Sequence, residues 1–246
     1  MTKNVIDDKK IQKLGLMMAE SENIVFFGGA GVSTESGIPD FRSVDGLYHE
    51  TYAYPPEIIL SHDFFISQTE EFYSFYKEKM LFTGAKPNKA HIALAELERM
   101  GKLKAVITQN IDSLHQAAGS KNVLELHGSV YRNNCMGCGK FHGLDHVKEA
   151  QGVPACPCGG VIKPDVVLYG EPLGERTVRD ALSYIERADM LIVGGTSLSV
   201  YPAAGMIDYY HGDKLVLINK SPTGADRKAG LVINGPIGEV LAAAVL

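Results

Sequence analysis

The apolar run Asn23-Ile24-Val25-Phe26-Phe27 breaks into Gly28-Gly29-Ala30-Gly31, and this step constrains the chain more than any other stretch. Five residues with so little polar alternation read as a strand buried on both faces, which is the habit of parallel sheets covered by helices on either side. Gly29 and Gly31 have no Cβ, so the backbone there turns tightly and approaches a pyrophosphate, whose charge meets free N–H groups at a helix N-terminus. Thr34 stands where G-x-G-x-x-G has its third glycine. A glycine turn of this kind binds nothing in many proteins. Pro39-Asp40-Phe41-Arg42 adds a rigid turn, an acid, an aromatic face and a guanidinium within four residues, enough to meet a phosphate, a ring and an amide.

Further apolar runs at Lys104-Thr108, Asn122-Leu126, Met190-Val193, Lys214-Asn219 and Leu231-Ile233 alternate with helical patterns, such as Ile11/Leu14/Met18, Ile92 to Met100 closed by Gly101, and Arg176 to Arg187. The rhythm predicts an α/β fold with a doubly wound parallel (Rossmann-like) sheet. Ligands of such sheets sit at strand carboxyl ends. There the chain delivers Gln109-Asn110-Ile111-Asp112, His127, Gly195-Thr196-Ser197 and Asn219. Asn110 and Asp112 also suit N-caps of a helix beginning near Ser113. Most histidines are structural hydrogen-bonders, and His91 and His115 read that way, whereas His127 ends a strand where a neutral imidazole reaches a sugar hydroxyl as general base. The usual dinucleotide arrangement of an acid about twenty residues after the first glycine turn is not found, which argues against an ordinary dehydrogenase.

All four cysteines fall in one insert: Cys135-Met-Gly-Cys138, seventeen residues, then Cys156-Pro-Cys158. Clustered cysteines in an intracellular chain read as a Zn²⁺ site rather than disulfides, and four sulfurs leave no open position, so the metal is expected to be structural. With 24 basic against 29 acidic residues the net charge is −5, which gives no footprint for nucleic acid. No apolar run approaches the roughly 18 residues of a membrane span, so a soluble, cytoplasmic protein without membrane contact is expected.

Gly29 to Arg42 resembles, nearly letter for letter, the signature of sirtuins, the NAD-dependent protein lysine deacylases. Similar motifs recur at Thr108 to Asp112, His127-Gly128, the cysteines, Tyr169-Gly170-Glu171, Gly195-Thr196-Ser197 and Tyr201 to Ala204. The resemblance implies one catalytic domain over 1–246, with a large NAD-binding lobe from 1–43, 87–129 and 165–246. A smaller zinc-binding and helical lobe would come from inserts 44–86 and 130–164. The long segment after Arg42, rich in tyrosine and phenylalanine, would include a lid over NAD. It implies cofactor contacts from Gly29, Ala30, Gly31, Ser33, Thr34, Asp40, Phe41, Arg42, Gln109, Asn110, Ile111, Asp112 and His127. Gly195, Thr196, Ser197, Asn219, Lys220 and Ile237 would complete that set.

An acylated-lysine protein or peptide would lie as an added strand between Val167-Tyr169-Gly170 and Val200. By the same resemblance the acyl oxygen attacks the nicotinamide ribose, Phe41 shields the centre, and His127 and Asn110 act on ribose and water. Nicotinamide and O-acyl-ADP-ribose leave. The pair expected to meet the acyl end, Tyr73 and Tyr76, supplies no cation, with Lys77 and Lys79 facing elsewhere. That predicts acetyl and other uncharged acyl groups over succinyl. The second cysteine pair, C-x-C, is one residue tighter than the family's. Mono-ADP-ribosyl transfer to protein is the alternative reaction, and a monomer is expected.

Overall fold

The computed structural model describes residues 7–41, 46 and 54–246; Arg42, Tyr48, Tyr52 and the first part of the expected lid lie outside the described residues. The strands are β1 (Ile24–Gly28), β2 (Leu103–Thr108), β3 (Val123–Glu125), β4 (Gly128–Cys135), β5 (Phe141–His142), β6 (Ile162–Val166), β7 (Met190–Gly194), β8 (Leu215–Asn219) and β9 (Leu231–Asn234). Six of them form one sheet in the order β3-β2-β1-β7-β8-β9, every neighbouring pair parallel. The chain winds outward from β1 to one edge and then, from β7, to the other. The topological switch lies between β1 and β7, the position at which such sheets open a crevice.

The helices are α1 (Asp8–Ala19), α2 (Pro56–Ile59), α3 (His62–Ser67), α4 (Thr69–Lys79), α5 (Lys89–Arg99), α6 (Leu114–Ala117), α7 (Leu144–Glu149), α8 (Glu175–Arg187) and α9 (Ile237–Val245). The two-residue period of β1 sends Ile24 and Phe26 into a core shared with α1, α5 and α9, and Val25 and Phe27 into a second core under α8. That two-sided burial explains the unbroken apolar run. Asn88 caps α5 by accepting the Ala90 amide at 2.9 Å, and Gly101, at φ +75°, ends it. No described helix is long and apolar enough to cross a membrane.

A smaller unit is built from both inserts. Phe65, Phe72, Tyr73 and Tyr76 of the helical segment share one core with Val147, Cys156 and Ile162 of the cysteine segment. Lys77 ties the two by donating to the carbonyls of Ala150 and Gly152, each at 2.6 Å. The unit joins the large sheet through the antiparallel ribbon β4/β6, so the expected boundaries at 129/130 and 164/165 fall within continuous strands. Gly128 makes that junction possible, since at φ +75° a Cβ would lie against the Asp165 carbonyl.

Candidate active site

The carboxyl ends of β1, β2, β3, β7 and β8 converge on a cavity of about 680 Å³, walled on its other side by the small unit. Its lining contains Ala30, Gly31, Ser33, Thr34, Asp40 and Phe41 from the first turn and Gln109 to Asp112 from the second. His127, Gly195 to Ser197, Asn219, Lys220 and Ile237 line it as well, and so do Val167, Tyr169, Gly170 and Val200. Distant strand ends therefore meet as the sequence predicts. Gly29 does not line the cavity.

The first turn departs from expectation in a specific way. Two short 3₁₀ turns, Ala30–Val32 and Thr34–Ser36, follow β1 in place of an α-helix. The amides of Gly29 and Gly31 are already committed, to the carbonyls of Gly194 at 3.3 Å and Gly195 at 2.8 Å. A Cβ on Gly31 would stand 2.8 Å from Gly195 Cα, and one on Gly29 2.9 Å from Thr196 Cβ. The glycines serve a close approach of two protein loops, at the β1/β7 switch, and do not leave a row of free amides for an anion.

Side chains then bind the loops together. Ser33 donates to Asp112 Oδ2 at 2.6 Å and accepts from Asn110 Nδ2 at 3.0 Å. Asp112 accepts the Leu114 amide at 2.9 Å, so it does serve the start of α6 while facing the cavity. Burial pushes its carboxyl above the ordinary range, against the lowering effect of the Ser33 and Leu114 hydrogen bonds. Ser113, not Asp112, occupies the cap position, in a left-handed conformation at φ 56° held by Glu125 at 3.1 Å and Ser129 at 2.9 Å.

His127 Nδ1 lies 2.9 Å from the carbonyl of Gln109. A carbonyl only accepts, so Nδ1 carries the proton and Nε2 keeps its lone pair. Burial lowers the imidazole's pKa, partly offset by that carbonyl, and the ring is neutral at pH 7. Asn219 Oδ1 accepts the Thr196 amide at 2.9 Å, whereas its buried Nδ2 has no partner among the described residues.

Two placements overturn the expected acyl end. Tyr73 and Tyr76 are 1% and 0% exposed in the small unit's core, with the Tyr73 hydroxyl donating to the Ile162 carbonyl, and neither lines the cavity. A helix turn later, Lys79 and Met80 do, followed by Phe82 and Thr83. Lys79 thus faces the cavity rather than away from it, so charge alone does not exclude an anionic acyl group. The aromatic run Phe72-Tyr73 to Phe75-Tyr76 signals core, and only packing shows that the wall begins beyond it. Val130 and Glu171 also line the cavity and were not among the expected site residues; the family-like run Tyr169-Gly170-Glu171 is the sequence signal for the latter.

The four cysteine sulfurs lie within 4.8 Å of one another, with Cys135 to Cys158 at 3.4 Å and Cys138 to Cys156 at 3.7 Å. Sulfurs about 2.3 Å from a tetrahedral Zn²⁺ stand about 3.8 Å apart, so the set fits that ion and the C-x-C half converges with the rest. The Gly137 amide donates to Cys135 Sγ at 3.3 Å, and a Cβ on Gly160 would sit 2.7 Å from the same sulfur.

A doubly wound sheet with a strand-end cleft at its switch point, a neutral histidine on the cleft wall and a closed four-thiolate insert define a nucleotide-using α/β enzyme with a structural metal. The family model described as "Sir2 family" matches residues 29–202. An NAD-dependent protein deacetylase of Clostridium perfringens (strain 13 / Type A) is 61% identical over 238 residues, 95% of this chain and 98% of its own. A structure solved to explain the mechanism and regulation of Sir2 enzymes has a TM-score of 0.88 at 43% identity, covering 97% of each chain. A Sir2 structure with a deacetylated p53 peptide and 3'-O-acetyl ADP ribose has a TM-score of 0.87 at 42% identity, covering 95% of this chain and 96% of that one. The chain belongs to the Sir2 family.

Proposed function

We propose that this protein removes acetyl groups from lysine side chains of proteins and consumes NAD in doing so, releasing nicotinamide and O-acetyl-ADP-ribose. The observation that carries the reading is the meeting of His127, with Nε2 unprotonated, and the Ser33/Asn110/Asp112 cluster on one cavity wall. When bound, NAD would supply a glycosidic bond whose cleavage drives loss of the amide; its ADP-ribose would accept the acyl group, and one water would be consumed as the free lysine leaves. Asn219 lies against a ribose, Asn110 and Asp112 position the reacting end and the one water consumed, and Phe41 keeps bulk water from it. His127 Nε2 takes a hydroxyl proton as general base.

The acyl-lysine segment pairs along Val167, Tyr169 and Gly170, opposite Val200. Three amides of its binding edge are already used, Val167 by the His127 carbonyl, Leu168 by Glu171 and Tyr169 by the Leu60 carbonyl. Recognition therefore falls on the remaining backbone groups, with little demand on sequence. Zn²⁺ on the four cysteines holds the insert and has no open position for substrate. A set of four thiolates suits a reducing compartment, and we place the enzyme in the cytoplasm.

The test is an acetyl-lysine peptide with and without NAD, for wild type and His127→Ala, with products read by mass. Strict NAD dependence and a severe loss in the variant are expected. NAD-independent turnover, or an unaffected variant, refutes the reading, and label from the adenine of NAD retained on protein would favour mono-ADP-ribosyl transfer instead.

A further inference from the structure

The deacetylase reading assigns the peptide edge to Val167, Tyr169 and Gly170 but leaves open what keeps that edge in shape. The segment is not a strand of the large sheet. Beyond β6 its main chain is held at Val167 by the His127 carbonyl at 3.0 Å and at Tyr169 by residues 60–62, through Tyr169 N–H to Leu60 at 2.9 Å and His62 N–H to Tyr169 at 2.9 Å. Around the second anchor, from Leu168 to Glu171, the chain makes a tight turn, with the Glu171 amide donating to the Leu168 carbonyl at 2.9 Å and Gly170 at φ +88°.

One carboxylate closes that turn from the other side. Glu171 Oε2 accepts the Leu168 amide at 2.9 Å and the Lys163 ammonium at 3.1 Å, while Oε1 meets His62 Nδ1 at 2.8 Å. Lys163 also donates to the carbonyls of Pro164 at 3.3 Å and Val166 at 3.2 Å, so the ammonium gathers the end of β6 around the same carboxylate. The Glu171 side chain is 17% exposed, where a charge-assisted bond is worth more than on an open surface. Burial raises its pKa, but the Leu168 amide, His62 and Lys163 together outweigh it and hold the carboxyl below the usual range. Glu171 thus joins β6, the start of α3 and the peptide turn at a single point.

We propose that Glu171 is a positioning residue for the acyl-lysine peptide: its carboxylate clamps Leu168, Lys163 and His62 so that Val167 and Gly170 present one fixed edge to the substrate. The clamp makes the helical insert, through His62, part of peptide recognition although His62 itself does not line the cavity. This rests on the deacetylase reading. Alanine leaves the Leu168 amide and the Lys163 ammonium without their acceptor, whereas glutamine keeps an oxygen for the amide and the ammonium and exchanges the charge and the second oxygen for an NH2 that His62 Nδ1 accepts in its other tautomer.

Steady-state kinetics with an acetyl-lysine peptide and NAD, each varied in turn, decide the matter for wild type, Glu171→Ala, Glu171→Gln and His62→Ala. Glu171→Ala is expected to raise the peptide KM about tenfold, the equivalent of one charge-assisted hydrogen bond, with kcat and the NAD KM within about twofold. Glu171→Gln should recover most of that loss. If the peptide KM of Glu171→Ala stays within about twofold of wild type, or the NAD KM rises in step with it, the positioning role is overturned. Should Glu171→Ala not fold, His62→Ala decides: a peptide KM raised about threefold at constant NAD KM supports the clamp, and an unchanged one overturns it. Wild-type protein that fails to turn over the peptide at all would instead sink the deacetylase reading.

Discussion

Replacing His115 by phenylalanine should make the protein resist acid, by an amount the structure sets. His115 is 1% exposed on α6, 6.0 Å from the Phe26 ring and 4.7 Å from His91, and neither ring nitrogen has a partner among the described residues. Burial, reinforced by His91, pushes its pKa from 6.5 down to about 3. The unfolded chain takes up a proton on this residue as pH falls through 6.5, and the folded chain does not until far lower, so stability present above 6.5 is lost on acidification. At about pH 5 the unfolded state gains RT ln(1 + 10^1.5), about 2 kcal/mol, from this one group. Phenylalanine carries no proton and gives up no hydrogen bond here. The stability difference between His115→Phe and wild type, from urea unfolding at equal m-values, should therefore grow by about 2 kcal/mol in the variant's favour between about pH 7.5 and about pH 5. A difference that stays constant over that range would refute the claim that the folded protein holds this imidazole neutral.

Other outcomes follow from the same geometry. His127→Ala should lower kcat by about 10²- to 10⁴-fold while calorimetry finds nucleotide affinity little changed. Because the base works in its neutral form and burial lowers its pKa, the acid limb of kcat/KM should lie below the 6.5 of an ordinary imidazole. Gly31→Ala puts a methyl 2.8 Å from the Gly195 backbone, and should cost about 1–3 kcal/mol in thermal unfolding together with a drop in NAD affinity. Removing Zn²⁺ with a strong chelator should unfold the cysteine insert, seen as a lowered Tm and new protease cuts between 135 and 162, with activity lost at the rate of that unfolding.

Much of this protein is written locally. A five-residue apolar run with glycines behind it requires a strand buried on both sides and a tight turn, whatever else the chain does, and β1 has that form with Ile24 and Phe26 facing one core and Val25 and Phe27 the other. The cysteine spacing likewise foretold a four-sulfur cluster, since thiolates that close in sequence have few other uses in a reduced chain. His127 was legible as a candidate from its place at a strand end. Its tautomer was not, because the carbonyl that sets it belongs to Gln109, eighteen residues away in the chain.

What tertiary structure alone decided are the matters of partner and facing. The amides of Gly29 and Gly31 look free in sequence and are spent on the β7 loop in space, because parallel neighbours at a switch point bring two turns into contact. Tyr73 and Tyr76 share the helical spacing of a pocket wall, yet the cysteine insert packs over them and moves the wall to Lys79 and Met80. Helical and strand periods fix which residues share a face, but which face meets solvent, core or ligand depends on what a distant segment lays against it.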